Sequence, residues 1–161
     1  YYVDGRMKDP TPFLINGGIE MLRSFIKDID EEAVIHNAEI LKTQFAAEID
    51  FLRNARHYYQ YGKLLITHAG FNSTAENWQD TSNQDFLWIR EHYLQPNQTG
   101  LINIFGHTPT RNMHNIDDIW ISPCQSYIGI DGGCAYGGQL NALLISEQGE
   151  ILETFIVPSN K

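Results

Sequence analysis

The chain has 161 residues, 42% hydrophobic and 19% charged, enough for one domain with a real core. Its formal net charge of −9 argues against broad binding to nucleic-acid backbones, which needs a basic footprint. The same charge is compatible with binding cations, although solubility alone accounts for it.

The opening Tyr1-Tyr2-Val3-Asp4-Gly5-Arg6 has no basic head followed by an apolar stretch, so it is no signal peptide. No apolar run reaches membrane-spanning length. A cytoplasmic protein is expected, with Cys124 and Cys134 as reduced thiols, because two cysteines at this spacing form neither a zinc motif nor a disulfide framework. Without an initiator methionine, the chain reads as part of a longer protein.

Residues 1–12 are polar, carry Asp9-Pro10 and Pro12, and are expected as loop. Apolar positions 19, 22, 25 and 26 fit one helical face, with Asn16 as a cap. The acidic run Asp28–Glu32 reads as a solvated helix start capped by Asp30. Ile35, Ala38, Ile40 and Leu41, then Phe45, Ile49 and Leu52, place one or two helices over 31–55, with His36 on a partly exposed face.

Residues 57–63 suit a short strand and tight turn, its tyrosines packing rather than stacking on bases. They lead into Lys63-Leu64-Leu65-Ile66-Thr67-His68-Ala69-Gly70, a buried strand that runs straight into a histidine. Residues 71–84 are polar loop, and Asp85–Leu94 reads as a short helix capped by Asp85. The strand-to-histidine design returns at Leu101-Ile102-Asn103-Ile104-Phe105-Gly106-His107-Thr108-Pro109. Strands follow near Ile119–Ile121 and Ser126–Ile130, and Gln148-Gly149 joins a terminal hairpin, Gln139–Ser146 with Ile151–Val157. A single domain over 1–161 is expected, mainly helical over 1–56 and mixed over 57–161.

His68 and His107 are the leading candidates for chemistry. Ligands of open α/β sheets collect at the carboxyl ends of strands, and neutral imidazole binds divalent metals well. Two histidines do not complete a two-metal centre, which also needs carboxylates, and only Asp131 stands at a comparable place. Arg90 is a candidate for gripping a phosphate through paired hydrogen bonds, against the simpler reading of a surface arginine. Asp131-Gly132-Gly133-Cys134-Ala135-Tyr136-Gly137-Gly138 is no phosphate loop, since no helix follows it. Its glycines imply close backbone approach or positive φ. Tyr136 either points toward a site or packs, and Cys134 has no neighbouring base to activate it.

His68-Ala69-Gly70, Trp88-Ile89-Arg90, Phe105-Gly106-His107-Thr108-Pro109, Ile130-Asp131-Gly132-Gly133 and Gly137-Gly138-Gln139-Leu140 occur in an order that resembles the C-terminal half of a known family. This is the phosphoprotein phosphatase branch of the calcineurin-like metallophosphoesterases. The likeness is to the bacterial and phage serine/threonine phosphatases and, next, to the symmetrical diadenosine-tetraphosphate hydrolases. Asn16-Gly17-Gly18 with Leu22 also resembles a segment these proteins carry.

The resemblance implies an α/β fold, the C-terminal part of a four-layer α-β-β-α sandwich. It implies His68 and His107 as metal ligands, Arg90 as a substrate-phosphate ligand, and Asp131 and Tyr136 beside the pocket. The cofactors implied are two divalent ions, manganese before iron or zinc. They activate a hydroxide for phosphoester hydrolysis of a phosphoprotein or a dinucleoside polyphosphate. The family's Asp-x-His, Gly-Asp-x-x-Asp-Arg-Gly and Gly-Asn-His motifs do not occur in the chain, so the general-acid histidine and remaining ligands are expected upstream. The implied partner is then the N-terminal half of the same protein. A chain expressed without it is expected to be inactive and to expose sticky sheet surface, with poor solubility or self-association. A non-catalytic binding or structural module is the competing reading.

Overall fold

The computed structural model describes every residue except 1, 5, 6, 28, 30–32 and 161, and the side chains of all of these but 34 and 35. The acidic run and its cap at position 30 therefore fall largely outside the described residues. The fold is mixed α/β, in two compact units, Tyr1–Ala55 and Arg56–Lys161.

The first unit is helical: α1 (Thr11–Phe13), α2 (Ile19–Phe25), α3 (Val34–Gln44) and α4 (Ala46–Arg53). Leu22, Ala38, Leu41 and Ile49, from three of these helices, bury together with Tyr2. Each large apolar side chain so buried contributes roughly 2 kcal/mol. His36 is exposed. Two local expectations are corrected. The segment 1–12 is not all loop, because α1 starts at Thr11 behind Pro10, a residue whose fixed φ suits a first turn. Asn16 does not cap α2. The chain kinks at Asn16 and Gly17, so the Asn16 amide turns back and donates to the Pro12 carbonyl at 2.7 Å.

The second unit holds a five-stranded sheet in the order β1-β2-β3-β5-β4: β1 (Tyr58–Tyr61), β2 (Leu64–Thr67), β3 (Ile102–Phe105), β4 (Trp120–Ile121) and β5 (Tyr127–Gly129). The three central strands β2, β3 and β5 run parallel, and the edges β1 and β4 are antiparallel. Alternation sends Leu65, Phe105 and Tyr127 to one face, where Phe71 and Phe86 join them. Leu64, Ile104 and Ile128 go to the other, beneath Leu143, Ile145 and Ile151 of the hairpin β6 (Gln139–Ile145) and β7 (Ile151–Pro158). The hairpin's far face is apolar and open: Leu140, Leu144, Phe155 and Val157 are 47–60% exposed.

Between β2 and β3 lies α5 (Asn83–Trp88), and between β3 and β4 lies α6 (Arg111–His114). The expected helix Asp85–Leu94 is also corrected. Ser82 is the cap, accepting the Asp85 N–H at 3.0 Å, and α5 stops at Trp88. Ile89 is extended and Glu91 is left-handed at φ 61, which lets a new 3₁₀ turn, His92–Leu94, start in another direction. Arg90 thus sits in the break, not on a helix. No helix among the described residues is long and apolar enough to cross a membrane.

Candidate metal centre

Parallel pairing in register brings the carboxyl ends of β2, β3 and β5 to one edge of the sheet. His68 follows β2 directly, His107 comes two residues after β3, and Asp131 two residues after β5. The ends are tied by backbone bonds: the Gly106 N–H donates to the His68 carbonyl at 2.8 Å, and the Ile130 N–H to the Phe105 carbonyl at 3.0 Å. The His68 and His107 ring centres are 5.2 Å apart. Two imidazoles sharing one ion, each nitrogen about 2.1 Å from it, have ring centres roughly 4.5–5.5 Å apart, so the spacing suits a common ion.

His107 is held in an unusual conformation. Its φ is 65, and the Thr108 N–H donates to the Gly106 carbonyl at 2.7 Å across it. Such a three-residue turn at positive φ is rare and strained for a non-glycine residue. Strain of this kind costs roughly 1–3 kcal/mol and persists where surrounding structure imposes it, often at functional sites. The strain aims the imidazole back across the sheet edge, with Trp88 edge-on at 5.3 Å. His107 Nε2 is buried and has no hydrogen-bond partner among the described residues. A buried nitrogen left without a partner is costly, and a ligand that accepts its lone pair removes the cost. Burial first, then the charges of Arg90 and His68, push the His107 imidazole below its ordinary pKa, against the pull of Asp131. That direction favours the neutral imidazole, the form in which histidine can ligate a metal.

Arg90 is exposed, with Nη1 at 3.5 Å from both the His107 carbonyl and Thr108 Oγ1, the outer limit of hydrogen bonding. Its guanidinium remains available to an anion. Arg90 also borders an open cavity of about 460 Å³ shared with Asn72, Thr74 and Gln95. Asp131 performs its turn role, Oδ1 accepting the Gly133 N–H at 2.9 Å, while its Cβ lies 3.8 Å from where a Cβ on Gly106 would sit. Tyr136 is 80% exposed, so the packed alternative does not hold for it. The glycine loop has positive φ at Gly133 and Gly137, and the close approach expected of it occurs where Gly138 lies against the Gly132 carbonyl.

The sheet edge thus unites His68, His107, Asp131 and Arg90. Among the described residues, no three or more His, Cys, Asp or Glu side chains are grouped to hold an ion, so these residues alone do not assemble a complete metal site.

Sequence reasoning missed His92. Its ring is 4% exposed, enclosed by Phe105 at 4.5 Å, Tyr127 at 5.4 Å and Phe71 at 6.3 Å. Nε2 lies 3.0 Å from Asn103 Oδ1. The Asn103 amide donates to the Leu65 carbonyl at 2.9 Å and to Thr67 Oγ1 at 3.0 Å. That fixes Oδ1 as an acceptor and His92 Nε2 as the protonated nitrogen. The signal in the sequence was Asn103 itself, a polar residue inside an otherwise apolar strand, which needs a buried partner.

Burial pushes the His92 pKa from 6.5 down to about 4, with the Asn103 bond opposing. Between those values the unfolded chain binds a proton that the folded chain does not. Stability therefore rises with pH through this window and falls on acidification. The gap corresponds to roughly 3 kcal/mol. Denaturant midpoints measured from pH 7 to pH 4 are expected to fall steeply below pH 6.5, and His92→Gln, which cannot titrate there, is expected to flatten the profile.

No family model, curated protein or solved structure matches this chain.

Proposed function

We propose that the chain carries part of the metal centre of a phosphoester hydrolase, with a serine/threonine phosphoprotein as its substrate class. The observation that carries this reading is the His68–His107 pair at adjoining strand ends, 5.2 Å apart, with the buried and unpartnered Nε2 of a strained His107. His68 and His107 would hold one divalent ion, manganese before iron or zinc. An ion bound there would supply Lewis acidity and would make water a nucleophile at neutral pH.

Around it, the protein's own residues position the substrate. Arg90 grips the non-bridging oxygens of the phosphoryl group, fixing its orientation and balancing its charge as the bond to the leaving group breaks. Trp88 walls one side of His107. Asp131 offsets the positive charge of Arg90 where both face His107. The remaining ligands and the general acid would come from the upstream part of the family's domain, and the open apolar face of the β6–β7 hairpin offers a surface for its strands.

The reading is tested with manganese and three substrates: p-nitrophenyl phosphate, a phosphoserine peptide and diadenosine tetraphosphate, with the upstream sequence supplied. Phosphopeptide turnover is expected to exceed the others, and faster hydrolysis of the dinucleotide would reassign the substrate. Arg90→Ala is expected to raise KM for a phosphomonoester about 10–100-fold while leaving manganese affinity unchanged, since a charge-assisted bidentate contact is worth about 1.5–3 kcal/mol. The two-ligand limit favours a second reading, a non-catalytic module. Absence of turnover with the upstream part present would establish that reading instead.

A further inference from the structure

We infer that His92 is the positioning residue of the site, a buried imidazole that sets the placement of His68, His107 and Arg90 together; this rests on the metal-centre reading above. Three contacts converge on the one ring. Through Asn103 it holds Thr67, the residue before His68: His92 Nε2 donates to Asn103 Oδ1 at 3.0 Å, and the Asn103 amide donates to Thr67 Oγ1 at 3.0 Å and the Leu65 carbonyl at 2.9 Å. On the other side of His68, the ring lies against Gly70, where a Cβ would come within 2.5–2.6 Å of Nδ1 and Nε2. His68 is therefore bracketed by one rigid group. Phe105, two residues before His107, packs edge-on against the ring at 4.5 Å, and Arg90 stands two residues before it, joined by the left-handed Glu91.

Each member of the network is nearly sealed from solvent: Asn103 is 0%, His92 4% and Thr67 8% exposed. A buried polar group inside an aromatic shell costs free energy unless fully bonded, and His92 Nδ1 stays without a partner among the described residues. A phenylalanine would fill the space without that cost. What phenylalanine cannot do is donate to Asn103 and so orient its amide toward Thr67 and Leu65. Groups that orient metal ligands from behind typically change metal affinity 10–100-fold when removed.

The experiment compares His92→Phe, which keeps the ring, with His92→Gln, which keeps a donor, at a temperature where circular dichroism shows both folded. The first readout is metal-free NMR of the histidine side chains. His92→Phe is expected to broaden or split the His68 and His107 signals and leave His36 and His114 unchanged. The second is manganese affinity, expected to fall about 10-fold in His92→Phe and to stay within about threefold of the parent in His92→Gln. Unchanged His68 and His107 signals with unchanged affinity in His92→Phe would overturn the inference. So would equal losses in the two variants. If His92→Phe does not fold, Thr67→Val decides. It removes only the hydroxyl at the far end of the network, and an undisturbed His68 signal in it contradicts the positioning role. Failure of the unaltered protein to bind manganese would sink the metal reading alone, leaving the metal-free NMR to judge His92.

Discussion

Gly70→Ala is expected to destabilise the second unit by roughly 3 kcal/mol or more, lowering its melting temperature by about 10–20 °C. Two costs add. Gly70 has φ +148, a backbone conformation that residues with a Cβ rarely adopt. The new methyl would also overlap the His92 ring, which cannot swing aside because Phe105 and Tyr127 enclose it. Gly100→Ala is the comparison for a positive φ without a clash: Gly100 has φ +73, near the left-handed region, and nothing within 4 Å of a Cβ. It is expected to cost only about 1 kcal/mol. Thermal unfolding of both variants measures the difference, and equal effects would mean that the packing of His92 against Gly70 contributes nothing.

The other large effect concerns the imidazoles. His107→Ala is expected to weaken manganese binding at least 100-fold, because removing groups that merely orient a ligand already costs 10–100-fold. It should at the same time leave stability unchanged or raised. The strain at φ 65 stays, because alanine also dislikes that φ, but the buried Nε2 without a partner among the described residues is removed and its cost with it. Loss of metal together with retained stability marks a residue kept for chemistry. Isothermal titration with manganese and denaturant unfolding of the same sample supply both numbers. A stability loss of several kcal/mol with metal affinity intact would identify His107 as structural.

Much of this site was legible in the residues. Leu64–Thr67 and Ile102–Phe105 announce themselves because central strands buried over most of their length carry mainly apolar side chains, and a histidine follows each within two residues. Gln148-Gly149 marks the final hairpin because Gly149 takes φ +95. What was hidden depends on tertiary context. Ile89-Arg90-Glu91 carries no Gly or Pro, so the helical pattern runs through it, and the break at extended Ile89 and left-handed Glu91 goes with the packing of His92 among Phe71, Phe105 and Tyr127. For the same reason Arg90 reads as a helix residue when it occupies a bend. A buried histidine also looks like any other in sequence, since what neutralises it is burial among Phe71, Phe105 and Tyr127, brought from three other segments. The side-chain amide at Asn103 was the visible clue, and it points to its partners only once the register Leu65–Asn103–Tyr127 is known.

The convergence of His68 and His107 on one ion is tested most directly by substoichiometric manganese, whose paramagnetism broadens the NMR signals of nearby side chains. The account predicts that His68 and His107 vanish first and in parallel, while His36, His57 and His114 persist. Parallel loss of the exposed histidines His36 and His68 while His107 persists, or loss of His68 without His107, would contradict it.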